Sequence, residues 1–422
     1  MGQATVFRNV RIFDGSRVLD DDTVIIQDGI ITAMGRDLEH PFAARIVDGS
    51  GFTLLPGLID AHTHTFRVTN LRQALIFGVT TELDMGTYWK LAQQTKELQQ
   101  TADGQDLADL RSARTQATAP GGHGTEYGFP IPTITEPEDA QAFMDARLAE
   151  GSDYIKIMYD NGSLKASGPE PTLRKETMAA LIEAAHLRGK RTVVHILKLQ
   201  DARDAIELGA DGIAHVFVDQ PPDEDFASFA AAHHIFVVPT LAILEYVCNV
   251  AEEDLLVNHP ALSPYLSATD KTQLLHSHLS FNKGTYSIAE EAVRQLKAVG
   301  VPLLAGTDAA LNTVHGVSLH RELELLVKAG LTPLEALASA TSIPARIFDL
   351  PDRGRIIPGL RADLLLVEGD PTTDILSTRS ITAVWKQGVE VDRQAYRRHL
   401  RQQELGDTIL QEVASINQTG KR

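Results

Sequence analysis

The middle of the chain alternates between short apolar runs and segments with helical periodicity, and this alternation constrains the fold more than any other feature. The helical segments include residues 174–187 and 200–208, which are followed by Gly189 and Gly209, a residue type common at helix ends. Strands joined by helical crossovers form parallel sheets. Eight apolar runs therefore predict a (β/α)₈ TIM barrel, with strands near residues 53–59, 78–84, 110–115, 154–159, 192–196, 212–216, 235–240 and 301–306.

Both ends of the chain have a different pattern, in which short strand-like runs are separated by turns. Near the N-terminus, residues 24–26 and 30–34 flank Asp28-Gly29 as in a β-hairpin. Residues 362–367 and 381–386 are also strand-like. The two ends predict one small β-module built from both termini, and two unrelated caps are the alternative. The predicted domains are a composite β-sandwich from 1–56 and 350–395, a catalytic barrel from 57–349 and a C-terminal helical tail from 396–422.

Charge and cysteine content exclude several classes of protein. The formal net charge is −17, and an acidic surface repels phosphate backbones, so we expect no nucleic-acid partner. Cys248 is the only cysteine, which rules out a disulfide within the chain and a cysteine-based zinc site. No apolar run is long enough for a membrane span, and the first residues do not have the pattern of a signal peptide. We therefore expect a cytoplasmic protein that does not bind membranes.

Six polar residues lie within or just after the apolar runs, where burial is costly unless they are paired or coordinated. Side chains one residue apart on an extended strand point to the same side, so His62 and His64 face one point. The carboxyl ends of barrel strands meet on one face, where barrel enzymes place their chemistry. Imidazole and carboxylate are common zinc ligands. The pattern therefore predicts a metal site formed by His62, His64, Lys156, His195, His215 and Asp308.

Lys156 lies between Ile155 and Ile157 and allows more than one explanation. The side chain can extend to solvent or pair with an acid. Alternatively, burial lowers the pKa of the lysine, and a neutral amine reacts with carbon dioxide. The resulting carbamate is anionic and has two oxygens that can bridge two metal ions. The residues around Lys156 leave these alternatives open.

The complete set of polar residues, with His62-Thr63-His64 at its start, resembles the amidohydrolase superfamily in its two-metal branch with a carboxylated lysine. Several other segments are similar to motifs of this family. They are residues 55–62, Gly78-Val79-Thr80-Thr81, Ala305-Gly306-Thr307-Asp308, residues 330–337 and residues 358–364. The loop Gly121-Gly122-His123-Gly124 resembles that of imidazolonepropionase-like and Xaa-Pro dipeptidase-like members. The composite β-module is also a feature of the family.

The resemblance implies two divalent metal ions, zinc above all, with manganese or cobalt as substitutes. Carboxylated Lys156 and a hydroxide would bridge the two ions, which lower the pKa of bound water. Asp308 would take the proton from the attacking hydroxide and pass it to the leaving nitrogen. The resemblance is also compatible with a homo-oligomer. In this assignment the more buried ion is bound by His62, His64 and Asp308, and the more exposed one by His195 and His215.

Three further residues are candidates for binding the substrate. His123 lies between glycines and can stabilise a developing oxyanion, or it is a loop histidine that faces solvent. Tyr159, three residues after Lys156, can bind a carbonyl or carboxylate group of the substrate, or it is a packed aromatic residue. His315 follows the Asp308 loop and can line the pocket. Two long connections, near residues 119–132 and 241–285, are predicted to form its walls.

We therefore expect a hydrolase that cleaves an amide-type C–N bond in a small molecule such as an N-acyl amino acid, a dipeptide or a cyclic amide. Lactone or ester hydrolysis, deamination and decarboxylation on the same metal ions are alternatives. A one-metal deaminase would not need Lys156. A non-catalytic interaction protein on the same scaffold is a further alternative, but such proteins usually lose metal ligands and none is missing from this set.

Overall fold

The computed structural model of the chain describes residues 3–36, 38–252, 255–275, 284–310 and 312–403. The strands are β1 (Thr5–Arg8), β2 (Arg11–Ile12), β3 (Thr23–Gln27), β4 (Ile30–Gly35), β5 (Arg45–Asp48), β6 (Phe52–Pro56), β7 (Leu58–Thr63), β8 (Val79–Asp84), β9 (Asp109–Ser112), β10 (Ile155–Met158), β11 (Thr192–His195), β12 (Gly212–Ala214), β13 (Phe236–Val238), β14 (Leu364–Glu368), β15 (Ile381–Lys386) and β16 (Val389–Glu390). The α-helices are α1 (Val68–Ile76), α2 (Trp89–Leu98), α3 (Ala140–Glu150), α4 (Lys175–His186), α5 (Leu199–Glu207), α6 (Phe226–Ala232), α7 (Leu241–Val247), α8 (Ala268–Leu275), α9 (Tyr286–Ala298), α10 (Val317–Lys328), α11 (Pro333–Ser339) and α12 (Ser342–Ile347).

Two parallel sheets form the middle of the chain. One has the strand order β7-β8-β9 and the other β10-β11-β12-β13. Single β-bridges link segments next to these sheets, with Ala117 pairing with Ile157, Val237 with Leu303, and Thr63 with Ala309. Helices alternate with the strands along the chain, as the periodicity predicts. The mixed α/β class expected from the sequence is therefore confirmed.

The first apolar run is divided between two sheets, so the prediction of one strand over residues 53–59 is wrong. β6 belongs to a sheet of terminal strands, and β7 begins the middle part of the chain. The change of sheet occurs at Gly57, whose N–H donates to the carbonyl of Asp363 at 2.8 Å, whereas the N–H of Leu58 donates to Gly78 at 3.0 Å. A Cβ atom on Gly57 would lie 2.3 Å from the hydroxyl of Thr80. β7 consequently extends as far as the predicted metal site.

The last apolar run does not form the continuous strand predicted over residues 301–306. Its one strand-like pairing is the bridge between Leu303 and Val237. Pro302 has no N–H to donate, and the N–H of Ala305 donates to Ser339 at 2.9 Å. The carbonyl of Ala305 accepts a 2.9 Å hydrogen bond from Ala61 of β7. The run is therefore held next to β7 by hydrogen bonds to several segments.

Strands from the two ends of the chain pair with each other. β14 lies between β15 and β6 in a five-stranded sheet of order β16-β15-β14-β6-β2. The predicted hairpin around Asp28-Gly29 is present as β3 and β4, within a second sheet of order β4-β3-β1-β5. Residues of both ends share one apolar core, in which the rings of Phe7 and Trp385 lie 4.7 Å apart.

The two long connections differ in structure. Residues 119–132 contain turns without a helix. The connection over residues 241–285 contains α7 and α8, and its residues 253–254 and 276–283 lie outside the described residues. Residues 393–403 are helical, whereas the rest of the predicted tail, 404–422, is not described. Within the described ranges, every helix is too short or too polar to cross a membrane.

Candidate metal centre and active site

The six predicted ligand residues converge where the parallel strands end. His62 lies in β7, Lys156 in β10 and His195 at the end of β11, while His64, His215 and Asp308 follow strands or the last apolar run. The ring of His215 lies 4.9 Å from that of His62 and 4.6 Å from that of His195. The Oδ1 atom of Asp308 lies 3.3 Å from Nε2 of His62 and 3.2 Å from Nε2 of His64. The structure thus brings the predicted set together.

The backbone around this cluster adopts unusual conformations. His215 and Asp308 have φ angles of 69° and 54°, in the left-handed region that non-glycine residues seldom adopt. Such conformations persist where surrounding contacts hold them, often at functional sites. The absence of a side chain at Gly306 allows the backbone before Asp308 to pack closely against its neighbours. A Cβ atom there would lie 2.5 Å from Cγ1 of Val238 and 2.8 Å from the backbone nitrogen of His62.

Asp60 joins the two segments that carry His62 and Asp308. Its Oδ1 atom accepts hydrogen bonds of 3.1 Å from the backbone nitrogens of His62 and Thr307, and its Oδ2 atom accepts one of 2.6 Å from the Thr307 hydroxyl. Burial, with the charge of Glu82, raises the pKa of Asp60 to about 7. We did not select Asp60 from the sequence, although a carboxylate within an apolar strand is a signal that would have found it.

Hydrogen bonds at Nδ1 orient two of the histidines. Nδ1 of His64 lies 2.7 Å from the carbonyl oxygen of Gly86, which can only accept, so this nitrogen carries the proton. Nδ1 of His215 lies 2.6 Å from the hydroxyl of Thr240, and that hydroxyl donates to the carbonyl of Pro239 at 2.8 Å. Nδ1 of His215 is therefore also a donor. When each ring is neutral, Nε2 therefore keeps its lone pair, as a metal ligand requires.

Burial and the neighbouring charges together set the protonation states of the cluster. It lowers the pKa of His62 to about 3 and those of His195 and His215 well below the ordinary value, so these rings are neutral. Burial also opposes a charge on His64, but Asp308 outweighs it and raises the pKa of His64. Burial alone would raise the pKa of Asp308, yet the neighbouring histidines hold it well below its usual range. Asp308 is therefore ionised.

Lys156 is almost completely buried, with 1% of its surface exposed. Burial lowers its pKa to about 7, even though the charges of Asp308 and Asp84 act in the opposite direction. Within the described part of the chain, its Nζ atom has no hydrogen-bond partner. The structure therefore favours a reactive neutral amine over a side chain that reaches solvent or pairs with an acid.

The donor set fits divalent metal ions. Ligand atoms of His62, His215 and Asp308 all lie within 4.8 Å of one another. Buried polar atoms normally have partners, but among the described residues none satisfies Nε2 of His62, Nε2 of His195 or Nζ of Lys156. Imidazole nitrogens with a carboxylate oxygen are suitable for zinc and related transition metals.

A cavity of about 920 Å³ opens next to the cluster. This volume is within the range of small-molecule sites. Its floor includes four of the predicted metal ligands, and its walls come from the loop after β9, the loop after β10 and helix α7. The residues that line it include His64, His195, His215, Asp308, Phe66, His123, Tyr127, Lys165, Glu170, Leu197, Ile243, Leu244 and Val247.

His123 lies in this cavity, with its ring 4.8 Å from that of His195. Its Nδ1 atom lies 2.7 Å from Oε1 of Glu126 and 3.0 Å from Nζ of Lys165. Nζ of Lys165 also donates to Oε1 of Glu170 at 2.5 Å. We missed Glu126, Lys165 and Glu170 in the sequence because they lie in polar loops without periodicity, and only the fold brings these loops together.

The other two predicted substrate-binding residues lie elsewhere in the described structure. The hydroxyl of Tyr159 donates to Oδ2 of Asp204 at 3.1 Å. Nδ1 of His315 lies 2.8 Å from Oε1 of Glu82, and 4% of His315 is exposed. Neither Tyr159 nor His315 is among the described residues that line the cavity. A direct contact with the substrate would require either side chain to leave its present partner.

Comparisons with known proteins extend over most of the chain. The model of the Amidohydrolase family matches residues 53–391. An imidazolonepropionase of Cereibacter sphaeroides is 27% identical over 394 residues, which cover 87% of this chain and 93% of the relative.

Solved structures share the fold at lower identity. A Xaa-Pro dipeptidase with methionine bound in its active site superposes with a TM-score of 0.73 at 22% identity, over 92% of this chain and 99% of the dipeptidase. Molinate hydrolase gives a TM-score of 0.73 at 19% identity, over 93% of this chain and 95% of that structure.

Proposed function

Because the chain belongs to the amidohydrolase family, a family of hydrolases, we propose that it cleaves an amide-type C–N bond of a small molecule at a centre of two divalent metal ions. The observation that carries this proposal is the convergence of the predicted ligand residues beside one cavity, four of which, His64, His195, His215 and Asp308, line it. The names of the imidazolonepropionase and dipeptidase relatives support C–N bond hydrolysis as the reaction class.

We further propose that the two parallel sheets and the last apolar run form a closed (β/α)₈ barrel, and that the two terminal sheets form a β-sandwich. The bridges of Thr63 with Ala309, Ala117 with Ile157 and Val237 with Leu303 support closure. The shared apolar core of the terminal strands supports the sandwich. A barrel gathers the ends of all strands on one face, which accounts for ligands from such distant parts of the chain.

In the proposed centre His62, His64 and Asp308 would hold one ion, and His195 and His215 the other, with Lys156 between them. When bound, such ions lower the pKa of water to near neutrality and polarise a carbonyl group. The Gly86 carbonyl and the Thr240 hydroxyl keep His64 and His215 in the tautomer that presents Nε2. Zinc is the metal best suited to this imidazole-rich set.

Lys156 would contribute as a carbamate. Its neutral amine attacks carbon dioxide, a C–N bond forms and one proton is released, which leaves an anion with two oxygen ligands. With a pKa of about 7, roughly half of the side chain is already neutral at pH 7. Carboxylation also removes the cost of an unpartnered amine in this position.

Asp308 would transfer the proton. Its pKa is held well below the ordinary value, so it is ionised and can accept the proton that the attacking water loses. It would then donate this proton to the leaving nitrogen, which makes the amine a better leaving group. The hydrogen bonds from Thr307 to Asp60 keep this segment beside β7, so the carboxylate stays in position through both steps.

His123 would stabilise the substrate carbonyl oxygen as negative charge develops on it. Its Nδ1 atom is within hydrogen-bond distance of Lys165, an obligatory donor, and of Glu126, an acceptor. A hydrogen bond from Lys165 places the ring proton on Nε2. This N–H group lies on the side of the ring away from Nδ1.

The test combines metal analysis with a substrate panel. Purified protein loaded with zinc is expected to hold two ions per chain and to hydrolyse amides in preference to lactones, and Lys156→Ala is expected to lose metal and turnover together. Lys386→Ala is a matched control, because this buried lysine pairs with Asp109 at 2.8 Å and is not among the described residues that line the cavity. Protein without divalent metal, or a Lys156→Ala variant with unchanged metal content and turnover, would contradict the proposal.

A further inference from the structure

One side of the cavity is an aromatic wall, which we define as Phe66 and Tyr127, and Phe129 lies next to these two rings without being among the described residues that line the cavity. The ring of Phe66 stacks on that of the predicted metal ligand His64 with centroids 5.9 Å apart. Tyr127 meets Phe66 edge-to-face at 5.8 Å and lies 6.5 Å from Phe129. Tyr127 also meets His64 at 5.6 Å. The aromatic wall therefore begins at the metal centre and extends away from it.

The cavity has a second apolar side, the helical wall, formed by Ile243, Leu244 and Val247 of α7. These three side chains line the cavity and are otherwise buried. Their spacing of one and three residues places them on one side of the helix.

Polar contacts on the rest of α7 hold the helical wall in this orientation. Oε2 of Glu322 accepts a 2.7 Å hydrogen bond from the backbone nitrogen of Ala242 in the first turn of the helix. Glu245 forms a buried ion pair with Arg321 at 2.7 Å, and the hydroxyl of Tyr246 donates to a backbone carbonyl at 2.9 Å. Because these groups anchor the helix to its neighbours, its apolar residues are kept towards the cavity.

The charged residues of the lining outside the metal centre bind one another. Lys165 donates to Glu170 at 2.5 Å, and Glu126 lies 2.7 Å from His123. Two carboxylates and one ammonium group leave this cluster with a formal charge of −1. Outside the metal centre, every cation among the described lining residues is therefore already paired with an acid. An anionic group of a substrate would find no unpaired cation there.

We propose that the substrate carries a bulky apolar substituent, of the size of a phenyl ring or larger, which binds between the aromatic wall and the helical wall while the amide lies at the metal centre. This inference rests on the proposed function and deepens it by naming the substrate class. Apolar surface enclosed on two sides favours an apolar ligand group over water. An aromatic ring gains additional edge-to-face contacts with Phe66 and Tyr127.

The first test compares two series of amides, one varied in the acyl group and one in the amine, each with methyl, isobutyl and benzyl substituents. In one of the series kcat/KM is expected to rise by about 100-fold from methyl to benzyl, since full burial of an apolar group of the size of a phenyl ring contributes up to about that factor. Equal values throughout both series, or a preference for methyl, would overturn the inference. Absence of turnover with every amide would instead contradict the proposed function.

A second test does not depend on turnover. Calorimetry with the zinc-loaded enzyme compares methylphosphonate with 2-phenylethylphosphonate, which present the same group to the metal ions and differ in the apolar substituent. The phenylethyl compound is expected to bind at least about 30-fold more tightly. Equal affinity of the two compounds would overturn the inference even if amides are hydrolysed.

Variants then assign the preference to the helical wall. Val247→Thr keeps the shape of the side chain but replaces a methyl group by a hydroxyl, and it is expected to reduce the ratio of kcat/KM between benzyl and methyl substrates by about ten-fold. Leu244→Asn is expected to act in the same direction. Val293→Thr is the matched control, because Val293 is fully buried in α9 and is not part of the cavity lining.

Thermal unfolding and metal content establish that each variant is folded. If Leu244→Asn does not fold, Val247→Thr with its control is sufficient for the test. A benzyl preference that Val247→Thr leaves unchanged, or that Val293→Thr reduces to the same extent, would overturn the assignment to this wall.

Discussion

Replacing Lys156 with methionine is expected to stabilise the metal-free protein, most strongly at low pH. Lysine and methionine have similar volumes, so the substitution mainly removes the charge. Burial lowers the pKa of Lys156 from 10.5 to about 7, and one pKa unit corresponds to about 1.4 kcal/mol. The buried amine therefore costs about 5 kcal/mol at pH 6, where it is protonated in the folded and the unfolded chain.

This cost decreases as the pH rises. Between pH 7 and pH 10.5 the unfolded chain keeps the proton and the folded chain does not, so a higher pH stabilises the folded wild-type protein. At pH 8.5 the remaining cost is about 3 kcal/mol. The free energy of unfolding of Lys156→Met should therefore exceed that of wild type by about 5 kcal/mol at pH 6 and by about 3 kcal/mol at pH 8.5. Titrating groups that do not interact with Lys156 are present in both proteins and cancel in this difference.

Urea unfolding of both proteins, after removal of metal with a chelator and in buffers free of bicarbonate, measures the difference. Lys386→Met is the control, because Lys386 is also buried but lies 2.8 Å from Asp109 and 3.4 Å from Asp363. Removing this cation leaves buried carboxylates with fewer partners, so the control should destabilise the protein. A Lys156→Met variant that is less stable than wild type at pH 6, or a difference that does not change with pH, would refute the reasoning.

Three further predictions concern the residues around the centre. Asp60→Ala removes the acceptor that Thr307 and the His62 backbone share, and it should weaken metal affinity by about 10- to 100-fold in a metal titration. His315→Ala leaves Glu82 buried without its imidazole and should cost about 3 kcal/mol of stability at pH 6 with KM unchanged. Glu82 raises the pKa of His315 against the effect of burial, so this loss should shrink as the pH rises through that raised pKa. His123→Ala should lower kcat about 100-fold while the metal content stays at the wild-type value.

Each of these predictions has an outcome that would contradict it. Unchanged metal affinity in Asp60→Ala would mean that the Asp308 segment keeps its position without this carboxylate. A large rise of KM in His315→Ala would support the direct substrate contact expected from the sequence. Loss of metal from His123→Ala would indicate a role in holding the centre, and unchanged kcat would exclude oxyanion stabilisation by this side chain.

Local sequence pattern was sufficient to predict the α/β class and to select the polar residues that we propose as metal ligands. His62, Lys156 and His195 are recognisable because each is a polar group in an apolar run, where burial is costly without a partner. Helix ends at Gly189 and Gly209 were equally clear, and both residues have positive φ angles of 64° and 92°. These signals depend on neighbouring residues along the chain, which the sequence contains directly.

Strand bounds were less predictable where hydrogen bonds come from distant segments. The run over residues 53–59 looks continuous, but the sheet that each half joins depends on Asp363 and Gly78. The run over residues 301–306 is apolar enough for a strand, yet its N–H groups and carbonyls have partners on separate segments. A local sequence pattern does not indicate which distant segment supplies the hydrogen-bond partner.

By itself the sequence was enough to select the residues that we propose as metal ligands and to predict hydrolysis of a C–N bond. Only the tertiary structure decided which nitrogens face the centre, because the partners that orient His64 and His215 are 22 and 25 residues away. It also placed Tyr159 and His315 on other partners and enclosed the cavity between the aromatic and helical walls. The physical reason is that burial and periodicity are local properties, whereas the direction of a side chain depends on contacts between segments that are remote in sequence.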